Sequence, residues 1–352
     1  MNDNDMLAVA CQGGRMLVFL SADGSRRLGE LPLPPEPHEV LFDADRRLLY
    51  CTVTYRSGFY EHHGERATEL VVVDPDHRVV VETIDLAPEC APHGLALDAA
   101  RGLLYVSVEA GPAGEGAVLT VDLAAGKVVE RTAVGAPGPH WFALTPDGAK
   151  GYTTNKEAPF LTVVEPAAGT GRPARTGRTV AVPGSEGIAM SRDGRYAVVA
   201  TPKLDPTGPL AAPPALAVVD VRSDQVVRTL PLAAPAVPVH RTAGGLVLAG
   251  EVHLAAPAAD GGPVPAAGRL RVFGAAGGGH AAAGELEELG EVVVGQVPLT
   301  VHSSPDGRLG YVSNIASDTV TVVDLERLRV VREVALGRDA GPHGLAYVPA
   351  IG

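Results

Sequence analysis

Aromatic residues make up only 4% of this 352-residue chain and tryptophan occurs once, so the core must be filled mainly by Val, Leu and Ala. Cysteine is scarce too: Cys11, Cys51 and Cys90 are odd in number and irregularly spaced, which excludes a disulfide framework. Basic residues never cluster beyond pairs such as Arg26-Arg27 and the net charge is −12, so no Lys/Arg stripe exists to replace phosphate counterions. Nucleic acid is therefore not an expected partner. No apolar run reaches the 18 or so residues of a membrane-spanning helix, so no membrane partner is expected either. The N-terminus is acidic, and the apolar piece after it is interrupted by Gln12, Gly13 and Gly14. Lacking the basic start and continuous apolar segment of a secretory signal, it predicts a cytoplasmic protein. Also missing are a Gly-x-Ser-x-Gly elbow, a phosphate-binding Gly-Lys-Ser/Thr loop, a dinucleotide fingerprint and a Cys-x-x-Cys pair. Any chemistry should then rest on a bound ion with acid/base help.

Glycine and proline are abundant, 42 and 30 residues, and lie between short apolar runs such as Val71-Val72-Val73 and Val292-Val293-Val294. That pattern predicts many short strands joined by tight turns. A repeat then fixes the architecture. Pro92-His93-Gly94-Leu95-Ala96, Pro139-His140-Trp141-Phe142-Ala143 and Pro342-His343-Gly344-Leu345-Ala346 are near copies. Weaker ones surround His38, Glu186, His240 and His302. These markers are spaced by 55, 47, 46, 54, 62 and 41 residues, and the residues after His343 together with those before His38 complete a seventh unit of 47. Each unit repeats the order marker, strand, turn, strand, strand, strand, with turns such as Pro146-Asp147-Gly148 and second strands such as Gly310-Tyr311-Val312-Ser313-Asn314. The expected fold is all-β: one seven-bladed β-propeller over residues 1–352, four antiparallel strands per blade. Its blades begin near 38, 93, 140, 186, 240, 302 and 343, and residues 1–37 complete the last, so the chain ends share one blade and leave no open edge.

The Pro-His-Gly-Leu-Ala, Pro-Asp-Gly, Tyr-Val-Ser-Asn and Thr-Val-Val-Asp elements resemble the YVTN-repeat, lactonase-like seven-bladed propellers over essentially the whole chain. That resemblance implies a hydrolase or lyase acting on a small organic molecule, while the same fold also hosts binding proteins. A more distant resemblance to histidine-ringed redox propellers implies a copper- or iron-dependent oxidoreductase as an alternative. A third alternative is a scaffold without catalysis that binds a partner or ligand. The Ala/Gly/Pro/Arg-rich composition fits a high-GC bacterial source and a setting in specialised metabolism.

With strand one innermost, the markers should meet at one mouth of the central channel, where strand two also returns. The segments 55–68, 202–214 and 255–268 lie between strands two and three and should crowd that face. His38, His93, His140, His240, His302 and His343 form the expected ring, Glu186 stands in for the seventh, and His253 is a further candidate ligand. Imidazoles with a carboxylate suit a divalent transition metal, Zn, Fe, Cu, Ni or Mn. The same histidines would equally serve as turn packing. Glu186, Glu109 and Glu157 are candidate general acids or bases, and Arg56 a candidate clamp in a loop with His62-His63 that could act as a lid. Trp141, Tyr55, Asn155 and Asn314 are expected at the pocket. The expected reactions are lactone opening, elimination, or cyclisation and isomerisation of a small substrate.

Overall fold

The computed structural model describes residues 4–57, 64–112, 114–167, 173–205, 209–255, 264–275 and 285–351. Seven four-stranded antiparallel sheets follow one another around an axis. Blade one is Pro37–Asp43, Leu48–Ser57, Glu65–Asp74 and Val79–Asp85; blade two is Cys90–Asp98, Leu103–Ala110, Ala117–Asp122 and Lys127–Ala133. Blade three is Pro139–Leu144, Gly151–Asn155, Phe160–Glu165 and Arg175–Ala181; blade four is Ile188–Met190, Tyr196–Thr201, Ala215–Asp220 and Gln225–Pro231. Blade five is Ala236–Arg241, Val247–Glu251, Ala267–Ala275 and Leu286–Gln296, with a small hairpin of Leu254–Ala255 and Val264–Pro265 before its third strand. Blade six is Pro298–Ser303, Leu309–Asn314, Thr319–Asp324 and Arg329–Ala335. Blade seven joins the two chain ends: Pro342–Val348 pairs with Met6–Cys11, Met6 facing Val348, and Met16–Ser21 and Arg27–Pro32 complete it. The protein is a seven-bladed β-propeller.

Burial explains why a chain so poor in aromatics closes this ring. The middle strands are apolar on both faces because each blade is sandwiched between two others, so Met6–Cys11 and Tyr196–Thr201 are buried throughout. The outermost strands are mostly exposed, as in Arg329–Ala335. Seven apolar clusters fill the seven junctions between neighbouring blades. Val, Leu and Ala supply most of them, with a tyrosine or phenylalanine such as Tyr105, Tyr152 or Phe273 at the widest places.

Strand one carries the feature that matters for function. In blades one, two, three, five, six and seven its register slips by one residue just after Pro37, Pro92, Pro139, Ala236, Pro298 and Pro342. Such a bulge re-aims the side chains inside it. In blades one, two, three and six a hydroxyl on strand two holds it in place: Glu39 N–H donates to Thr52 Oγ1, Gly94 N–H to Ser107 Oγ, Trp141 N–H to Thr154 Oγ1 and Thr300 N–H to Ser313 Oγ. The same hydroxyls reach the next blade, Thr52 donating to the His93 carbonyl and Ser107 to that of His140.

Candidate functional site

Register corrects the ring of seven. The residue that follows the position where the register slips is His38, His93, His140 and His343 in blades one, two, three and seven, but Val237 in blade five and Leu299 in blade six. Contacts at glycine agree: a Cβ on Gly94 would strike the His140 carbonyl, one on Gly344 that of His38, and one on Gly187 that of Val237. His240 and His302 stand three residues further along their strands, one level deeper in the channel. Sequence similarity misplaced them because Val-His there mimics Pro-His, whereas the bulge position is set by strand pairing. What the fold assembles is an arc of four imidazoles from adjacent blades, His343, His38, His93 and His140, continued by Glu186 and closed by two aliphatic side chains.

The arc is tightly packed. His38 Nε2 lies 2.8 Å from His93 Nε2, and ring centroids are 3.8 Å apart for His38 and His343 and 3.7 Å for His93 and His140. All four rings are buried. Burial, reinforced by the neighbouring imidazoles and by Lys156, holds His38, His93 and His140 well below the usual histidine range, so these rings are neutral near pH 7. Carboxylates flank them: Glu39 Oε1 is 3.1 Å from His343 Nδ1, and Glu186 Oε2 is 3.5 Å from both His140 Nδ1 and Lys156 Nζ. Burial raises the Glu186 carboxyl, opposed by Lys156. A second layer joins Tyr55, whose hydroxyl donates to Glu109 Oε2 at 2.6 Å and whose ring meets His38 edge-on. Burial pushes Glu109 up to about 7, against the lowering by Lys156 and Tyr55.

Donor atoms of His38, Glu39 and His343 all lie within 4.8 Å of one another. Among the described residues, His38 Nδ1 and His93 Nδ1 are buried with no hydrogen-bond partner, while Glu39 Oε1 with His343 Nδ1, and Glu186 Oε2 with His140 Nδ1, make ion-pair contacts without an aligned hydrogen bond. Buried polar atoms are normally satisfied, and two imidazoles with one carboxylate form a recurrent set for a divalent ion that keeps positions open. The residues present therefore fit a metal.

Other expected site residues lie elsewhere or are already engaged. Asn155 and Asn314 donate their amides to Thr162 Oγ1 and Thr321 Oγ1 of their own blades, clamping the turn from strand two to strand three. Glu157 is exposed and paired with Lys203. Arg56 is paired with Glu69. His253 Nε2–H donates to Glu251 Oε2 at 3.0 Å, and Glu251 also accepts from Arg271, so this imidazole belongs to a separate cluster in blade five. Trp141 borders the arc, its indole 6.1 Å from His140 and 6.3 Å from His93. Tyr55 lies within a strand, paired with Arg66, so the blade-one insertion begins as an extended hairpin, while His62 and His63 lie outside the described residues. Sequence reasoning missed Glu39. Its signal was a charged residue directly after a marker, where blades two, four and seven carry glycine.

No protein-family model and no curated protein matches the chain. Solved structures do. The periplasmic gluconolactonase of Pseudomonas aeruginosa is 20% identical at a TM-score of 0.67, over 98% of this chain and 99% of that one. A putative 6-phosphogluconolactonase from Bacteroides fragilis is 12% identical at a TM-score of 0.71, over 99% of both chains. A functionally unknown protein from Desulfotomaculum acetoxidans is 12% identical at 0.71, over 98% and 99%. What they share with this chain is the fold.

Proposed function

We propose that the protein is a metal-dependent enzyme that opens or eliminates on a small organic substrate, a lactone-like ester being the favoured class, at the histidine arc. The observation that carries this reading is the buried set His38, Glu39 and His343, whose donor atoms converge within 4.8 Å. A divalent transition metal held there supplies Lewis-acid polarisation of a carbonyl or activation of water. The neighbouring side chains supply the proton chemistry. Glu109, with an affinity for its proton near pH 7, can both take and return one, and the Tyr55 hydroxyl fixes its carboxylate. Glu186, between His140 and Lys156, is a second acid/base group, and Lys156 places a positive charge where an anionic product would form. The lactonase names of two structural neighbours favour hydrolysis within this class.

The test is a panel of lactones and cyclic esters assayed with protein stripped of metal and reloaded in turn with Zn, Mn, Fe(II), Ni and Cu(II). Ring opening that returns only on reloading, and that Glu39→Gln and His343→Ala abolish while Glu109→Gln lowers kcat about 10²-fold or more, is the expected result. Turnover by the stripped protein, or by His343→Ala, overturns it. The same two-histidine, one-carboxylate set is also that of oxygen-activating iron centres. Dioxygen consumption by the Fe(II)-loaded protein would favour the oxidoreductase reading. Partner binding with no metal uptake would favour a scaffold.

A further inference from the structure

The channel holds a second compartment beyond the arc. A cavity of about 560 Å³ runs from Glu39 and Trp141 at its floor to Ala44, Ala243 and Pro305, in the turns between strands one and two. It therefore opens on the face opposite the long insertions. Leu41, Phe42, Leu95, Met190 and Val239 make its wall largely apolar. Its size matches that of small-molecule sites.

Into this wall blades five and six set the two deeper histidines. The rings of His240 and His302 are stacked 4.9 Å apart at 25°. Ser303 orients both: its N–H donates to His302 Nδ1 at 2.9 Å, and its hydroxyl meets His240 Nε2 at 2.9 Å. His302 Nδ1 lies 2.9 Å from both the N–H and the carbonyl of Ser303, so in either tautomer it is engaged by that backbone and Nε2 is left to face the cavity. No hydrogen bond among the described residues uses His302 Nε2 or His240 Nδ1. The wall thus presents two imidazole nitrogens, each a donor or an acceptor according to the tautomer that Ser303 selects on the opposite nitrogen. Two charged side chains touch the cavity, Glu39 beside His343 and Arg241 beside Tyr196.

We propose that this compartment binds a neutral, largely hydrocarbon small molecule with one hydroxyl, which hydrogen-bonds to His302 Nε2. A polyol would leave hydroxyls unpaired against Leu41, Phe42 and Met190, and an anion, though drawn to Arg241 at the end of its strand, would meet the Glu39 carboxylate at the floor. The site shares Glu39 at its floor with the proposed metal set, but its hydrogen-bonding groups, His240 and His302, lie outside the arc, so it can be tested on the metal-free protein.

Trp141, the chain's one tryptophan, reports from the cavity floor. The full-length, metal-free protein is titrated with cyclooctanol and, for comparison, with sorbitol and cyclooctanecarboxylate, following tryptophan fluorescence and heat of binding. Saturable cyclooctanol binding at least tenfold tighter than either comparison is expected. Ala189→Leu, which fills the lining, and His302→Leu should each weaken it about tenfold, whereas His302→Gln, which keeps an N–H donor, retains most of the affinity. Absence of saturation in both readouts, equal binding of the polyol or the carboxylate, or affinity untouched by Ala189→Leu and His302→Leu overturns the proposal.

Discussion

Glu109 shows how a single buried residue ties stability to the site. Its carboxyl has an ordinary value of 4.5 and is pushed up to about 7 by burial. Between these values the unfolded chain has released a proton that the folded protein keeps, so folding stability falls as pH rises from about 4.5 to about 7 and is level above. A tenfold change in proton affinity corresponds to about 1.4 kcal/mol, so keeping this group ionised in the fold costs about 3 kcal/mol. Glu109→Gln should remove that slope and make the variant about 2–3 kcal/mol more stable relative to wild type at pH 8 than at pH 4.5, measured by denaturant titration. An unchanged pH dependence would show that the carboxyl is not desolvated. His240 and His302 act with the opposite sign. Burial holds both below 6.5, so the unfolded chain binds protons that the fold refuses, and stability is lost as pH falls below 6.5. Replacing both with Leu should blunt acid unfolding between about pH 6.5 and 5, read as a smaller shift in melting temperature.

At the scale of the strand, the bulge and its hydroxyl place the imidazoles. Ser107 Oγ accepts the Gly94 N–H and donates to the His140 carbonyl, so Ser107→Ala leaves two buried backbone groups unpaired. A loss of about 1–3 kcal/mol is expected, together with weaker metal uptake, because His93, whose Nε2 lies 2.8 Å from that of the proposed ligand His38, loses its support. Asn314→Ala should destabilise the blade-six turn without touching metal uptake, since its amide serves Thr319 and Thr321. Metal content alongside melting temperature separates the two outcomes. These strands also show where the chain was readable. The blades were legible because the tight turns, the alternation of middle and outer strands and the Pro-His and Tyr-Val-Ser-Asn copies are local in sequence. The seating of His240 and His302 was not, because a one-residue bulge changes which side chain reaches the hub while leaving the apolar pattern intact. Glu39 was hidden for the same reason: its role depends on His343, 304 positions away in the chain and adjacent only after ring closure.

Closure is the property of the whole molecule on which the site depends. Pro342–Val348 brings His343 into the arc and is held by pairing with Met6–Cys11, by Tyr347 donating to Asp5 Oδ2 at 2.6 Å and by Ala350 N–H donating to Asp5 Oδ1 at 2.8 Å. Asp5→Ala should leave the Tyr347 hydroxyl unpaired, lower the melting temperature and reduce metal affinity without touching any donor, because both effects run through the same strand. Metal content of protein purified without a histidine tag and equilibrated with each divalent ion, joined to X-ray absorption of the bound ion, tests the central claim most directly. One ion per chain, with imidazole and carboxylate donors, lost in His343→Ala and Glu39→Gln but kept in His240→Leu, is the result the account predicts. A chain that takes up no ion, or one whose uptake His343→Ala leaves intact, would contradict it.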